Sequence, residues 1–245
     1  MDNVKKNLNR ELLADPNVRL LHSATWTIPI QEIEISYETV KRTPMDLLMK
    51  MLLIVFSKMQ TDSVEEISDL LRVEPLFIED MIKSMQYAKM IEKKPEYFSL
   101  TDTGKEQLKL GIFIHPPEKE EKTAYYSSTH GEFLFGELKE GSEPLYRYAK
   151  EEVAVEKIEE NQLRKAVDKL SATIEEEMLI TVQSIRSVTE LDMHNVPIFE
   201  YHLYHAAEDK MYARVWNSLS AQWDEQLAEE IMEKELSTWR EHYKI

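Results

Sequence analysis

The chain has 245 residues and a formal net charge of −16, set by 30 basic against 46 acidic side chains. Such a charge disfavours direct binding to free nucleic acid or to an anionic membrane. The absence of cysteine excludes disulfides and thiolate metal sites, and the five glycines leave little material for glycine-rich phosphate loops.

The length accommodates one or two domains with a real core. The charge is uneven. Fifteen basic residues oppose 18 acidic ones from Met1 to Pro116, and 15 oppose 28 from Pro117 onward. Met1-Asp2-Asn3-Val4-Lys5-Lys6 leads into polar residues, so no signal peptide is expected. The longest apolar run, Leu47 to Phe56, is broken by Lys50 and falls short of the ~20 residues of a spanning helix. No membrane association is expected, and the absence of cysteine suits a cytoplasmic location.

Residues up to about Arg19 read as a short helix or a loose arm. Between Thr25 and Val40, Ile28, Ile30, Ile33, Ile35 and Tyr37 alternate with polar residues, which predicts strand. Pro29 suggests a sheet edge or a bend between two short strands.

From Thr43 the period changes. Thr43 is a candidate cap, with Pro44 at the first helical position. Leu48, Met51, Leu52, Val55 and Phe56 then recur at helical spacing. Ser63-Val64-Glu65-Glu66 has the form of a capping box and predicts a short second helix facing inward through Ile67, Leu70 and Leu71. Pro75 starts a third helix, with Ile78, Met81, Ile82, Met85 and Ala88 on its buried side. Lys93-Lys94-Pro95 is a turn, and Tyr97 to Leu100 a strand. Thr101 caps a last helix that carries Leu108 and Leu110.

This order, with Leu100-Thr101-x-x-Gly104 after the strand, resembles a winged helix-turn-helix over residues 43–113. The resemblance implies DNA binding through the third helix, with the wing on phosphates. It makes Lys83, Gln86, Lys89, Lys93 and Lys94 the candidate DNA contacts. Glu74, Glu79 and Asp80 crowd the start of that helix, where each carboxylate repels phosphate. The outward residues Phe77, Asp80, Ser84 and Tyr87 instead suit a protein partner, since aromatic side chains supply interface anchors.

Pro116-Pro117 and the charged run after them mark a linker. The second half reads as a hairpin around His130-Gly131, a loop at Gly141 to Pro144, and a helix from Asn161 with Leu163, Val167, Leu170 and Ile174. Leu179 to Thr189 favours strand. Another hairpin joins Ile198–Tyr204 to Met211–Trp216, with Phe199, Tyr201 and Leu203 on one face. An acidic helix closes the chain from Asp224 to His242, its apolar stripe formed by Leu227, Ile231, Leu236 and Trp239. The expected fold is α+β: an N-terminal arm and β segment (1–42), a winged-helix domain (43–115), and an acidic α+β domain (123–245) with a small antiparallel sheet and a C-terminal helix.

The motifs point away from catalysis. Gly131 to Gly136 has Walker-type glycine spacing, but Glu137 and Leu138 stand where Lys and Ser/Thr are needed. His202 and His205 form an H-x-x-H, yet on a strand these positions face opposite ways. Glu175-Glu176-Glu177 and Glu229-Glu230 read as solvated helix faces. No catalytic residue, metal or cofactor is expected.

The leading expectation is a non-catalytic accessory or regulatory subunit that binds protein partners within a DNA-associated assembly, a role compatible with phage defence or chromosome maintenance. DNA contact by the chain alone should be weak, and a homodimer is compatible with this reading. Two other readings stay open. One is a DNA-binding transcription regulator with a C-terminal dimerisation or ligand domain. The other is an acidic nucleic-acid mimic presenting Glu229, Glu230 and Glu233.

Overall fold

The computed structural model describes residues 2–171 and 179–244. Ile174 and Glu175-Glu176-Glu177, singled out above, lie outside the described residues. The elements are α1 (Asp2–Leu12), β1 (Val18–Pro44), α2 (Leu47–Lys58), α3 (Val64–Leu71), α4 (Pro75–Tyr87), β2 (Ile91–Lys93), β3 (Phe98–Leu100), α5 (Asp102–Leu110), β4 (Ile112–Ile114), β5 (Glu118–Ser127), β6 (Glu132–Leu134), α6 (Glu160–Ser171), β7 (Leu179–His205), β8 (Lys210–Asn217), β9 (Gln222–Trp223) and α7 (Glu225–Tyr243).

The expected small sheet is wrong. Seven strands form one sheet in the order β6-β5-β1-β7-β8-β9, with β4 also paired to β1. The segment expected as an N-terminal arm and β segment supplies β1, 27 residues long and central in that order. Alternation of Ile33, Ile35 and Tyr37 with half-buried polar residues reports the strand faithfully. What it does not report is the number of partners, because those come from residues far away in the chain. Pro29 lies within a central strand and not at an edge or a bend. Thr27 donates to the Pro144 carbonyl and accepts from the Tyr146 N–H along one side of β1, at an isolated bridge. Two residues on, Pro29 turns its missing N–H to that same side.

Two compact units share the chain. The first comprises 1–35, 122–166 and 188–245, and the second 36–121 and 167–187. The residues of the expected arm and β segment (1–42) are thus divided between them.

In the first unit, β7 and β8 pair antiparallel, with Phe199 opposite Trp216 and His202 opposite Ala213. Phe199, Tyr201 and Leu203 pack with Leu8 of α1. On the opposite face, Val196 and Ile198 join Ile28, Ile30, Met211, Val215 and the buried stripe of α7. That stripe is Leu227, Ala228, Ile231 and Trp239, while Leu236 is exposed. Asp224 caps α7 by accepting from the Leu227 N–H.

In the second unit, α2 to α5 and the β2–β3 hairpin enclose a core that includes Leu52, Phe56, Ile67, Ile78, Met85, Met90 and Phe98. The first helix starts later than expected. Pro44 ends β1, and Asp46 caps α2 by accepting from the Leu48 and Met49 N–H groups. Met51 and Leu70 point outward and not into the core. Ser63 caps α3 through the Glu66 N–H, but the Glu66 carboxylate accepts from the Thr61 hydroxyl instead of closing a box with Ser63.

Thr101 does two jobs. Its hydroxyl accepts from the Gly104 N–H, capping α5, and donates to the Lys89 carbonyl at 2.6 Å. This draws α5 so close to the preceding turn that a Cβ on Gly104 would lie 2.1 Å from the Met90 carbonyl oxygen. The threonine and the glycine of Leu-Thr-x-x-Gly therefore serve one close approach.

Candidate functional site

The outward face of α4 carries the residues expected to meet a partner. Phe77 is 60% exposed, Tyr87 76% and the neighbouring Leu76 63%. Asp80 and Ser84 are exposed beside them. Exposure of three large apolar groups on one helix is costly without a use, since each leaves over a hundred square ångströms or so of burial unrealised.

The candidate DNA contacts are differently placed. Lys83 lies 3.7 Å from Glu79 and 3.6 Å from Asp80. Lys93 is 3.4 Å from Asp62 and its ammonium sits over the Phe98 ring. Lys94 pairs with Glu92 in the hairpin. Gln86 is half-buried. Lys89 follows α4 in the left-handed conformation, with φ of 56°, and has no carboxylate partner among the described residues. Exposed pairs of this kind contribute little to stability. They do place a carboxylate beside Lys83, Lys93 and Lys94, three of the four lysines that would have to meet a phosphate.

A second constellation, in the first unit, joins residues that sequence reasoning did not connect. Glu200 and His202 are two apart on β7 and so share a face. On α7, Glu235, Trp239 and Tyr243 recur every four residues and meet them. Glu200 is 1% exposed and fully engaged. The Arg147 guanidinium forks onto it, Nη1 to Oε2 at 2.7 Å and Nη2 to Oε1 at 2.9 Å. Trp26 Nε1 donates to Oε2 at 2.8 Å, and His202 Nε2 lies 2.6 Å from Oε1. His202 stacks on Trp239 at 4.0 Å, with its Nδ1 2.6 Å from the Tyr243 hydroxyl. Arg147 also donates through Nε to Glu235, which accepts from the Tyr148 hydroxyl as well. Burial alone would raise the Glu200 carboxyl. Hydrogen bonds from His202 and Arg147 outweigh it and hold the group at about 2.

Ligand atoms of Glu200, His202 and Glu235 all lie within 4.8 Å of one another, a set of donors that could suit a metal ion. Arg147 already bridges the two carboxylates, however, and a metal would have to displace it. The cluster is best described as a buried ion-pair network that clasps α7 to β7. Only the Glu-x-His spacing on a strand, with both side chains on one face, was visible in the sequence. Arg147 lies in a loop without periodicity. His205 is separate: it faces Asp15 at 3.4 Å.

Ser127, His130 and Asp224 form a third group, with Ser127 Oγ 2.7 Å from His130 Nδ1 and His130 Nε2 2.8 Å from Asp224. The residue types are those of a hydrolytic triad, but Ser127 is fully buried and no substrate carbonyl can reach it. The Gly131 N–H donates to the Ser127 carbonyl, so the group pins the β5–β6 turn to the start of α7. Gly131 to Gly136 belongs to this hairpin. Gly136 approaches the Leu219 carbonyl too closely for any Cβ. On α7, Glu229 and Glu233 are exposed, while Glu230 pairs with Lys234 at 2.7 Å.

Comparison with known proteins identifies no relative. No protein family, curated protein or solved structure matches the chain. Among the described residues, no helix is long and apolar enough to cross a membrane.

Proposed function

We propose that the chain is a non-catalytic, winged-helix accessory or regulatory subunit of a DNA-associated assembly, and that it docks a protein partner through the outward face of α4. One observation carries the reading. The face that would read DNA exposes Leu76, Phe77 and Tyr87, while Lys83 on the same face is flanked by Glu79 and Asp80. Phosphate contacts need uncompensated cations, whereas partner helices and loops need buried aromatic anchors. The hairpin follows the same logic, since Lys93 and Lys94 each meet an acidic group.

The test is affinity purification of the full chain from its native cell, with and without nuclease, beside a Phe77→Asp variant. Capture that survives nuclease and is lost in the variant is the expected result. Tight, salt-sensitive binding of the purified chain to duplex DNA would overturn the reading in favour of a self-sufficient regulator.

A further inference from the structure

The second unit contains a cavity of about 570 Å³ beside the end of α4, within the size range of small-molecule sites. Its charge is opposite to that of the chain. Arg42, Lys89 and His115 line it, and among the described residues no aspartate or glutamate does. On the neighbouring α4 face and hairpin, Lys83, Lys93 and Lys94 stand beside carboxylates. Here, among the described residues, neither Arg42 nor Lys89 has a carboxylate within ion-pair distance. Two uncompensated cations at one cavity are the more notable in a chain of net charge −16.

Among the polar groups around the cations, Gln107 keeps a donor to spare. Gln107 is 3% exposed and lines the cavity. Its carbonyl oxygen accepts from the Ile114 N–H at 2.9 Å, while its amide nitrogen has no protein partner among the described residues. Its N–H groups are therefore available to an acceptor in the cavity. Arg42 is held in place at one nitrogen, which donates to the Thr181 hydroxyl at 2.8 Å. The other guanidinium nitrogens keep donors to spare. The His115 imidazole is pushed down by burial and by the nearby Lys41 charge, though Glu118 acts the other way, so it is a neutral hydrogen-bonding group near pH 7.

The rest of the lining is apolar or aromatic. Tyr87 stands at the cavity with most of its ring exposed, and Pro117 adds a flat apolar wall. A ring on the ligand can lie against such surfaces, as bases do on exposed aromatic side chains.

We infer that this cavity binds a small organic phosphate of mononucleotide size, its phosphate held by Arg42, Lys89 and the Gln107 amide and its ring against Tyr87. Arg42 supplies the planar fork that matches a phosphate, and Lys89 a point charge. The site shares Tyr87 with the proposed docking face but does not depend on that reading, because its test measures ligand binding by the isolated chain.

The experiment is calorimetric titration of the full chain with adenosine 5′-monophosphate, adenosine and inorganic phosphate, repeated on Arg42→Gln, Lys89→Gln and Lys83→Gln. Circular dichroism checks that each variant folds. The expected result has the monophosphate binding, phosphate competing with it, and adenosine at least about tenfold weaker. Arg42→Gln and Lys89→Gln should each weaken binding by about tenfold or more, while Lys83→Gln, outside the cavity, leaves it unchanged. Among the described residues the Lys89 side chain makes no hydrogen bond or ion pair, so Lys89→Gln decides the matter if Arg42→Gln does not fold. The inference is overturned by equal binding to wild type and Lys89→Gln, by adenosine binding as well as its phosphate, or by no binding of the monophosphate or of phosphate at concentrations up to about 10 mM.

Discussion

Arg147 grips Glu200 through both terminal nitrogens, at 2.7 and 2.9 Å, and this pair organises the aromatic and acidic side chains around it. The carboxylate is almost wholly inaccessible, and the guanidinium lies over Trp26, Tyr146 and Tyr148. Arg147→Met removes the fork and leaves a buried charge. It should destabilise the chain by about 3–5 kcal/mol in urea unfolding. Glu200→Gln in the same chain should recover part of the loss, because the charge left without its partner is then gone. A double variant no more stable than Arg147→Met alone would show that the cost is not electrostatic.

The same pair sets a response to acid. The Glu200 carboxyl sits at about 2 in the folded chain, below its ordinary value of 4.5. Its stabilising contribution is therefore complete above pH 4.5 and is lost as pH falls from there toward 2. Unfolding free energies measured across that window should fall less steeply in Glu200→Gln than in wild type.

His194 should respond with the opposite sign. Burial would lower its imidazole, but hydrogen bonds with Glu140 at 2.7 Å and Glu32 at 2.8 Å raise it above 6.5. The contribution of this bridge is complete below pH 6.5 and is lost as pH rises through the raised value. The imidazole resonances followed by NMR should titrate above an ordinary histidine, and Glu32→Gln should bring the midpoint down.

Gly104→Ala tests the close approach in the second unit. The added Cβ would lie 2.1 Å from the backbone oxygen of Met90, which has no flexible side chain to yield. A loss of about 1–3 kcal/mol is expected by thermal unfolding. Thr101→Ala should cost about 1 kcal/mol through the lost cap. Because the two residues serve one contact, the pair should be non-additive.

Phe77→Asp should separate docking from folding. The ring is 60% exposed, so unfolding should change by no more than about 0.5 kcal/mol. Nuclease-resistant capture of a partner should disappear in the same variant.

How much of this was readable in advance depended on how locally each feature is encoded. Ser63, Pro75 and Thr101 announce helix starts because a cap acts within one turn. The hairpin of β7 and β8 was equally plain, since its turn lies between its strands. The sheet was underestimated because β1 lies beside β7, which starts more than a hundred residues later, and alternation reveals a strand but not its neighbours. The Glu200 cluster and the cavity share that difficulty. Arg147 reaches Glu200 across 53 residues of sequence, and the lining of the cavity is drawn from β1, the end of α4, α5, the segment after β4, and β7.

Two of the longest strands each serve both compact units, and the chain passes from one unit to the other at four places, near residues 35, 121, 166 and 187. No single cut releases either unit whole. A truncation at the proline pair after β4, the natural choice from composition, strands the first unit's opening 35 residues on the wrong fragment. Separating the two for study would call for rewiring the connections, and co-expression of complementary fragments would be the more promising route than any shortened chain.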